Sequence, residues 1–525
     1  MKTALRGRVV TMDDAFSVVP DGVIYIEDES IAAVQAAGAK APEGFADVKV
    51  VSTGGTIFPG LIDLHNHLAY DALPLWSVDK KYHNRDSWSG TVSYRAQVTG
   101  PMKVLGSSPD LLPALIRYVE CKCLLGGVTT SQGIALFSNQ GVRRYYKGLV
   151  RNVEQTTDAD LPEALARIAD VEKTNAKAFL ARLKKASCLL LHLSEGTDDA
   201  ARAHFLALRV GADWAIAKSL AGIHCVALQR GDFDVMAARG AAMVWSPLSN
   251  LLLYGATAKV GDARDAGVTI GLGADWSYSG SKNLLGELGI ARIVAAGAIA
   301  DRELVAMATK NGAKILGWDK VLGTLEKGKR ADLIVIGGVA GDPYDALLRA
   351  DESGLDLVVI DGVVRAATPE LAHALEATGE TVQVAGRPRM LALGDAAADP
   401  AVSALSLAKA SSILEDALHR LPQLARALET APTRSVGPFG DGPPTWYLAL
   451  DELGETGTDL RPRLPTADGL PSGASRAAKA GAPLSEIVKS IDLDPITVAD
   501  DPGYRARLAT QKNLPEALRT ALRGH

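Results

Sequence analysis

Cysteine is scarce in this chain. Four occur among 525 residues, at Cys121, Cys123, Cys188 and Cys225, and no two form a C-x-x-C pair. That argues against a disulfide-stapled secreted scaffold and against a cysteine-based structural zinc site. Positive charge is not in excess either: 56 Lys and Arg stand against 61 Asp and Glu, a net charge of −5. No broad basic field exists to hold a nucleic-acid backbone or an anionic membrane. Long apolar runs are missing too. Nothing approaches the run of about 18 residues that a membrane-spanning helix needs. The start, MKTALRGRVV, has no apolar stretch of the kind a signal peptide carries. What is present is ordinary for a well-cored globular protein, with 47% apolar and 22% charged residues. That composition excludes wholesale disorder, collagen and a coiled-coil rod. The expectation is a cytoplasmic protein acting on something small.

Length suggests two or three domains. Residues 1–57 read as short strands, and VVPDGVIYIEDESIAAV (18–34) carries β-branched runs around a polar turn. Segments 329–336 and 355–364 have the same strand character. Between them, short apolar runs such as ASCLLLHL (186–193), AGIHCVAL (221–228), AAMVWS (241–246) and VTIGLGAD (268–275) alternate with helical patterns. Alternation of that kind implies a parallel α/β architecture. The expected domains are a composite β unit from 1–57 and 319–389, a central unit over 58–318, and a mostly helical extension over 390–525. In that extension 402–430 reads as helix interrupted at Pro422, 431–473 as extended loops, and 503–523 as helix again.

Among nine histidines, His65, His67, His192 and His224 each sit at or near the end of a short apolar run. His65 and His67 close FPGLIDLHNH. On a strand, residues two apart face one side, which suits two ligands of one metal. Taken alone, such a pair also fits a solvated strand end. Spacing adds weight. A barrel of about 250 residues spends roughly 31 on each strand–helix unit. His192 lies 127 residues after His65, His224 a further 32, and Asp275 lies 210 after His65. These positions fall at the ends of strands 1, 5, 6 and 8, which converge on one mouth. Asp275 closes GLGADW, where a buried carboxylate needs a partner such as a cation. Three imidazoles and a carboxylate suit Zn²⁺ or Fe²⁺, with Mn²⁺ also compatible. Glu195, in HLSE, reads equally as a proton carrier at the mouth or as an acid at the start of the helix that follows.

The combination FPGLIDLHNH, HLSE, GIHCVAL, WSPLSNLLLYG and GLGAD resembles the amidohydrolase superfamily, in its cytosine-deaminase-like and triazine-hydrolase-like branch. The resemblance spans roughly residues 1–365. It implies an α/β fold: a metal-dependent (β/α)8 TIM barrel with a small composite β-sandwich domain from both flanks, followed here by the helical extension. It implies that His65, His67, His192 and Asp275 hold one divalent metal, that Glu195 is the acid/base, and that His224 polarises substrate or orients water. Asp275 would also act as base. No fourth-strand lysine of the two-metal type is evident; the nearest candidate, Lys147, has no clear register. One metal is therefore expected, most simply Zn²⁺.

The loop after His67 lacks the L-R-G-type run of deaminases in this branch. It carries Trp76, Tyr82, His83, Arg85 and Trp88 instead. Trp76, Tyr82 and Arg85 are candidate substrate-binding residues, as are Asn250, Trp276 and Tyr278; aromatics flanking an arginine clamp flat or carboxylate-bearing molecules. That departure favours hydrolysis of an amide or cyclic amide C–N bond. The alternative is a deaminase of an N-heterocycle releasing ammonia, and the second alternative a non-catalytic barrel used as a binding scaffold. The expected partner is a small-molecule substrate, with neither nucleic acid nor membrane. Homo-oligomer formation is left open.

Overall fold

The computed structural model describes residues 1–430, 444–450 and 482–523. Nine strands from the two flanks form one sheet. Lys2–Val10, Val18–Glu27, Ser30–Ala36 and Val50–Pro59 come from the N-terminal side. Leu333–Gly337, Leu355–Ile360, Val363–Ala367, Glu380–Val384 and Arg387–Leu391 come from the other. The join is antiparallel, with Pro59 opposite Leu333 and Gly55 opposite Gly337. A sandwich would have two separately bonded sheets. Here strand Val50–Pro59 bonds on both edges, to Lys2–Val10 and to Leu333–Gly337, so hydrogen bonding is continuous. Leu5, Ile24 and Ile57 share one buried cluster with Leu333, Val335 and Leu357, so the two flanks are packed as well as paired.

The central region contributes two parallel sheets. Leu61–Asp63, Val128–Ser131 and Arg151–Asn152 form one; Ala164–Arg167, Cys188–Leu193, Leu220–His224, Ala242–Trp245 and Thr269–Leu272 form the other. Their edges meet on both sides. Ala164 N–H donates to Val153 O at 2.8 Å, and Leu64 N–H to Leu272 O at 3.2 Å. Asn66 also bridges Asp275 in parallel. Hydrogen bonds therefore run a full circuit from the first strand to the eighth and back. The fifth, sixth and seventh strands are buried on both faces, which explains their near-continuous apolar runs.

The units are unequal. The second strand starts 67 residues after the first, whereas the fourth starts 13 after the third. A hairpin, Ala135–Ser138 with Arg143–Tyr145, replaces a helix between the second and third strands. Regular spacing thus held only on average, because a long first connection offset two short ones.

The extension begins with the short helix Pro400–Ser403, followed by helices Leu407–His419 and Leu421–Thr430. Pro422 stands in the first turn of the last, where a missing N–H costs nothing. Most of the expected loop over 431–473 lies outside the described residues. The tail forms two short helices, Tyr504–Ala509 and Glu516–Arg523. Among the described residues no helix is long and apolar enough to cross a membrane.

Candidate metal centre and catalytic site

Site residues gather where the parallel strands end. His192 lies on the fifth strand and His224 closes the sixth. His65 and His67 are not on the first strand itself, which ends at Asp63; they lie on its continuation, with Asp275 beside them. Asp275 N–H donates to His65 O at 2.8 Å, and His67 N–H to Asp275 O at 2.6 Å. Asp63 staples the two chain segments, accepting from Ala274 N–H at 3.1 Å and from Asn66 Nδ2 at 3.1 Å. Burial pushes its carboxyl pKa up to about 6. His224 and Asp275 have φ of +68° and +69°. Left-handed backbone at non-glycine residues costs on the order of 1–3 kcal/mol and concentrates at functional sites.

The side chains converge. Ring centroids of His65 lie 5.0 Å from His67, 4.6 Å from His192 and 5.0 Å from His224. Ligand atoms of His65, His192 and His224 lie within 4.8 Å of one another, as do those of His65, His67 and Asp275. Tautomers follow from neighbours. Gln132 Oε1 lies 3.0 Å from His65 Nδ1 and also accepts from Asn66 N–H at 3.1 Å, while Gln132 Nε2 donates to Glu154 at 3.3 Å. An amide oxygen only accepts, so His65 carries its proton on Nδ1. Its Nε2 lone pair then faces Asp275 Oδ1 at 3.1 Å. Two acceptors in contact repel unless a cation or a second ring proton lies between them. His65 Nε2 and His192 Nδ1 are buried without a hydrogen-bond partner.

The electrostatics agree. Burial and the neighbouring imidazoles hold the His192 pKa well below its usual value, and burial pushes His224 down to about 4. Burial opposes ionisation of Asp275, yet His65, His224 and His67 outweigh it and keep the carboxylate below its usual range. Ser249 Oγ donates to Asp275 Oδ2 at 2.5 Å, leaving Oδ1 toward the histidines. The His192 imidazole, with its pKa depressed, beside an ionised Asp275 carboxylate fits the donor set of a divalent cation. Lys147 is exposed and the fourth strand, Ala164–Arg167, contains no lysine.

Glu195 lies beyond the reach of the helix that follows: Asp198 is that helix's N-cap, accepting from Ala201 N–H at 2.8 Å. Glu195 Oε2 stands 3.7 Å from His224 Nε2. Asn250, which sequence suggested as facing substrate, is wholly buried with Nδ2 2.9 Å from His224 Nδ1. Trp245 Nε1 donates to Thr257 Oγ1, which donates to Asn250 Oδ1 at 3.3 Å. That chain turns the amide nitrogen toward His224, so Nδ1 accepts and the ring proton sits on Nε2.

The expected substrate residues divide. Trp276 lies against His67, centroids 5.2 Å apart. Tyr278 touches Trp276, Trp76 stacks on Tyr278 at 5.4 Å, and Tyr82 stacks on Trp76, so these three stand successively farther along the aromatic chain. Arg85 is engaged by protein: Nη2 binds Asp170 at 2.5 Å and Nη1 donates to Ile168 O at 2.9 Å, while Nη1 lies 3.7 Å from Glu195. A shallow recess lined by Asn84, Arg85, Asp170, Glu195 and His204 marks where the site nears solvent. A cavity of about 490 Å³ elsewhere, between Leu284–Ala295 and the tail helices, includes none of the clustered histidines. Sequence reasoning missed Gln132, Ser249 and Tyr254. The spacing of Asn250 and Tyr254, four apart on helix Pro247–Tyr254, was the available signal for the last.

Residues 194–365 match the amidohydrolase family. Over that third of its length the chain is similar in sequence to the amidohydrolase family. It is accordingly a hydrolase of the amidohydrolase type, acting on carbon–nitrogen bonds other than peptide bonds. Two curated relatives of this amidohydrolase are 5-methylthioadenosine/S-adenosylhomocysteine deaminases. That of Acetivibrio thermocellus is 35% identical over 153 residues, 26% of this chain and 36% of its own length. That of Desulfitobacterium hafniense is 27% identical over 376 residues, 64% of this chain and 84% of its own. Among solved structures, a zinc-bound atrazine chlorohydrolase from Arthrobacter aurescens superposes with a TM-score of 0.54 at 22% identity, covering 69% of this chain and 94% of that one. That likeness concerns the α/β fold alone.

Proposed function

We propose that this amidohydrolase is a zinc-dependent deaminase of an adenosine-type nucleoside, releasing ammonia, and that its circuit of eight strands is the (β/α)8 barrel carrying the site. The observation that carries the metal-dependent reading is the acceptor-to-acceptor contact of His65 Nε2 with Asp275 Oδ1 at 3.1 Å. His65, His67, His192 and Asp275 would hold the ion. The deaminase reading is supported by the names of the two relatives above, and it displaces amide hydrolysis as the first choice.

A bound divalent ion supplies water acidified from a pKa of about 15.7 toward about 7. The chain's own groups do the rest. Asp275 takes a proton on its carboxylate, which Ser249 holds in place through Oδ2. His224 presents Nε2–H to the oxygen on which negative charge develops. Glu195 delivers the proton on Oε2 to the ring nitrogen and takes back the hydroxyl proton of the water adduct as the carbonyl forms, while the proton held by Asp275 passes to the departing amine, which leaves as ammonia. Trp276 offers a flat face beside His67 for the base. Proton transfer of this kind is worth about 10²–10⁴ in rate.

The test is ammonia release from 5′-methylthioadenosine, S-adenosylhomocysteine, 5′-deoxyadenosine and adenosine, with metal analysis of the same preparation. Ammonia from at least one nucleoside, near-stoichiometric zinc, and a rate cut about 100-fold or more by Glu195→Gln with zinc retained are expected. Products from cyclic amides without ammonia would instead favour the second reading, hydrolysis of an amide, for which the altered first loop over 68–88 speaks. A preparation with neither metal nor turnover would favour the scaffold.

A further inference from the structure

Glu195 is held from a side that the reaction above does not use. Tyr254 OH donates to Glu195 Oε1 at 2.6 Å, and Trp88 Nε1–H donates to that same phenol oxygen at 2.8 Å. An indole N–H only donates, so the phenol oxygen accepts there and its single proton is committed to Glu195. Oε1 is therefore an unprotonated acceptor. When Glu195 carries a proton, it rides on Oε2, the oxygen 3.7 Å from His224 Nε2 and 3.7 Å from Arg85 Nη1. Trp88, Tyr254 and Glu195 are all buried, so water does not compete for these bonds.

The parts come from three loops. Trp88 follows the short turn Arg85–Ser87 of the first loop. That loop is bridged to the Glu195 segment at Asn84 and Gly196, and Arg85 N–H donates to Glu195 O at 3.3 Å. Tyr254 ends helix Pro247–Tyr254, where Gly255 takes the left-handed conformation. The first loop thus carries one half of the clamp and the seventh-strand connection the other.

We propose that Tyr254, oriented by Trp88, is a positioning residue for Glu195, confining the transferable proton to the oxygen that faces His224. This rests on the acid/base reading of Glu195. Without the phenol, the proton divides between two carboxyl oxygens and the group is free to turn.

The test is a double-mutant cycle of Tyr254→Phe with Glu195→Gln, read on 5′-methylthioadenosine or, if another nucleoside of the panel is turned over faster, on that one. Tyr254→Phe is expected to lower kcat about tenfold or more, with KM within about twofold and zinc content unchanged. In the Glu195→Gln background it is expected to cost less than about twofold, because the group it acts through is gone. Equal losses in both backgrounds, or a folded Tyr254→Phe at the wild-type kcat, overturn the tyrosine's role and leave the reading of Glu195 standing. A Glu195→Gln enzyme at wild-type rate overturns that reading and this proposal with it. If Tyr254→Phe does not fold, Trp88→Phe decides the matter by the same split of kcat from KM and the same cycle.

Discussion

His224 and Asn250 show how one hydrogen bond sets the chemistry of a ring. The amide nitrogen of Asn250 donates to Nδ1, so the proton of the neutral imidazole is on Nε2, toward Glu195. Asn250→Asp places an acceptor where the donor was and moves that proton to Nδ1. We expect kcat to fall about 100-fold or more with zinc content unchanged, and Asn250→Ala, which leaves the tautomer free, to fall less. Steady-state kinetics beside metal analysis checks both. Asn250 stood out in the sequence only as a residue after an apolar run. Its burial, and the Trp245–Thr257 chain that turns its amide, depend on a neighbour seven residues ahead and a strand behind it.

At the scale of elements, the C-terminal segment belongs to the mouth. Asp494 lies between two buried lysines, accepting from Lys122 at 2.7 Å and Lys282 at 2.5 Å. Lys122 stands on helix Leu112–Leu125 and also donates to Asp71 O at 2.7 Å. Lys282 lies seven residues after Asp275, and Asp71 four after His67. The tail therefore braces the connections that follow both His67 and Asp275. Removing one partner of a buried charge cluster typically costs about 3–5 kcal/mol. Asp494→Asn is expected to lower the thermal midpoint by several degrees, measured by circular dichroism. An unchanged midpoint would show that the lysines find other partners. Nothing in the composition of 390–525 announces this role, because it depends on one carboxylate meeting two distant ammoniums.

For the whole molecule, pH dependence of stability carries a readable signature. Glu287 is fully buried, and burial raises its carboxyl pKa to about 8 from 4.5; Ser281 Oγ and Leu248 N–H only partly offset that. The folded state then holds a proton that the unfolded state releases from about pH 4.5 upward. Its contribution is fully present below that point and is lost as pH rises through 8. Wild type is expected to lose thermal stability between pH 5 and 8.5, and Glu287→Gln to flatten that loss, with the Ser281 hydroxyl turning to accept. Parallel melting curves for the two proteins at several pH values decide it. If the slopes coincide, Glu287 is ionised in the fold.

Local sequence determined which residues have the chemistry. Apolar runs marked the fifth to eighth strands, and the histidines and Asp275 at or just past such runs marked the candidate ligands, because a parallel strand buried on both faces cannot hide its composition. Only the tertiary structure decided which atoms meet. Of the first-loop residues, Arg85 crosses to Glu195 and Trp88 to Tyr254, Gln132 reaches His65, and Asp494 returns from the far end of the chain. Each of these contacts brings a loop residue to a partner far away in the chain. Loop geometry is set by packing against the rest of the fold, and no periodicity within the loop records it.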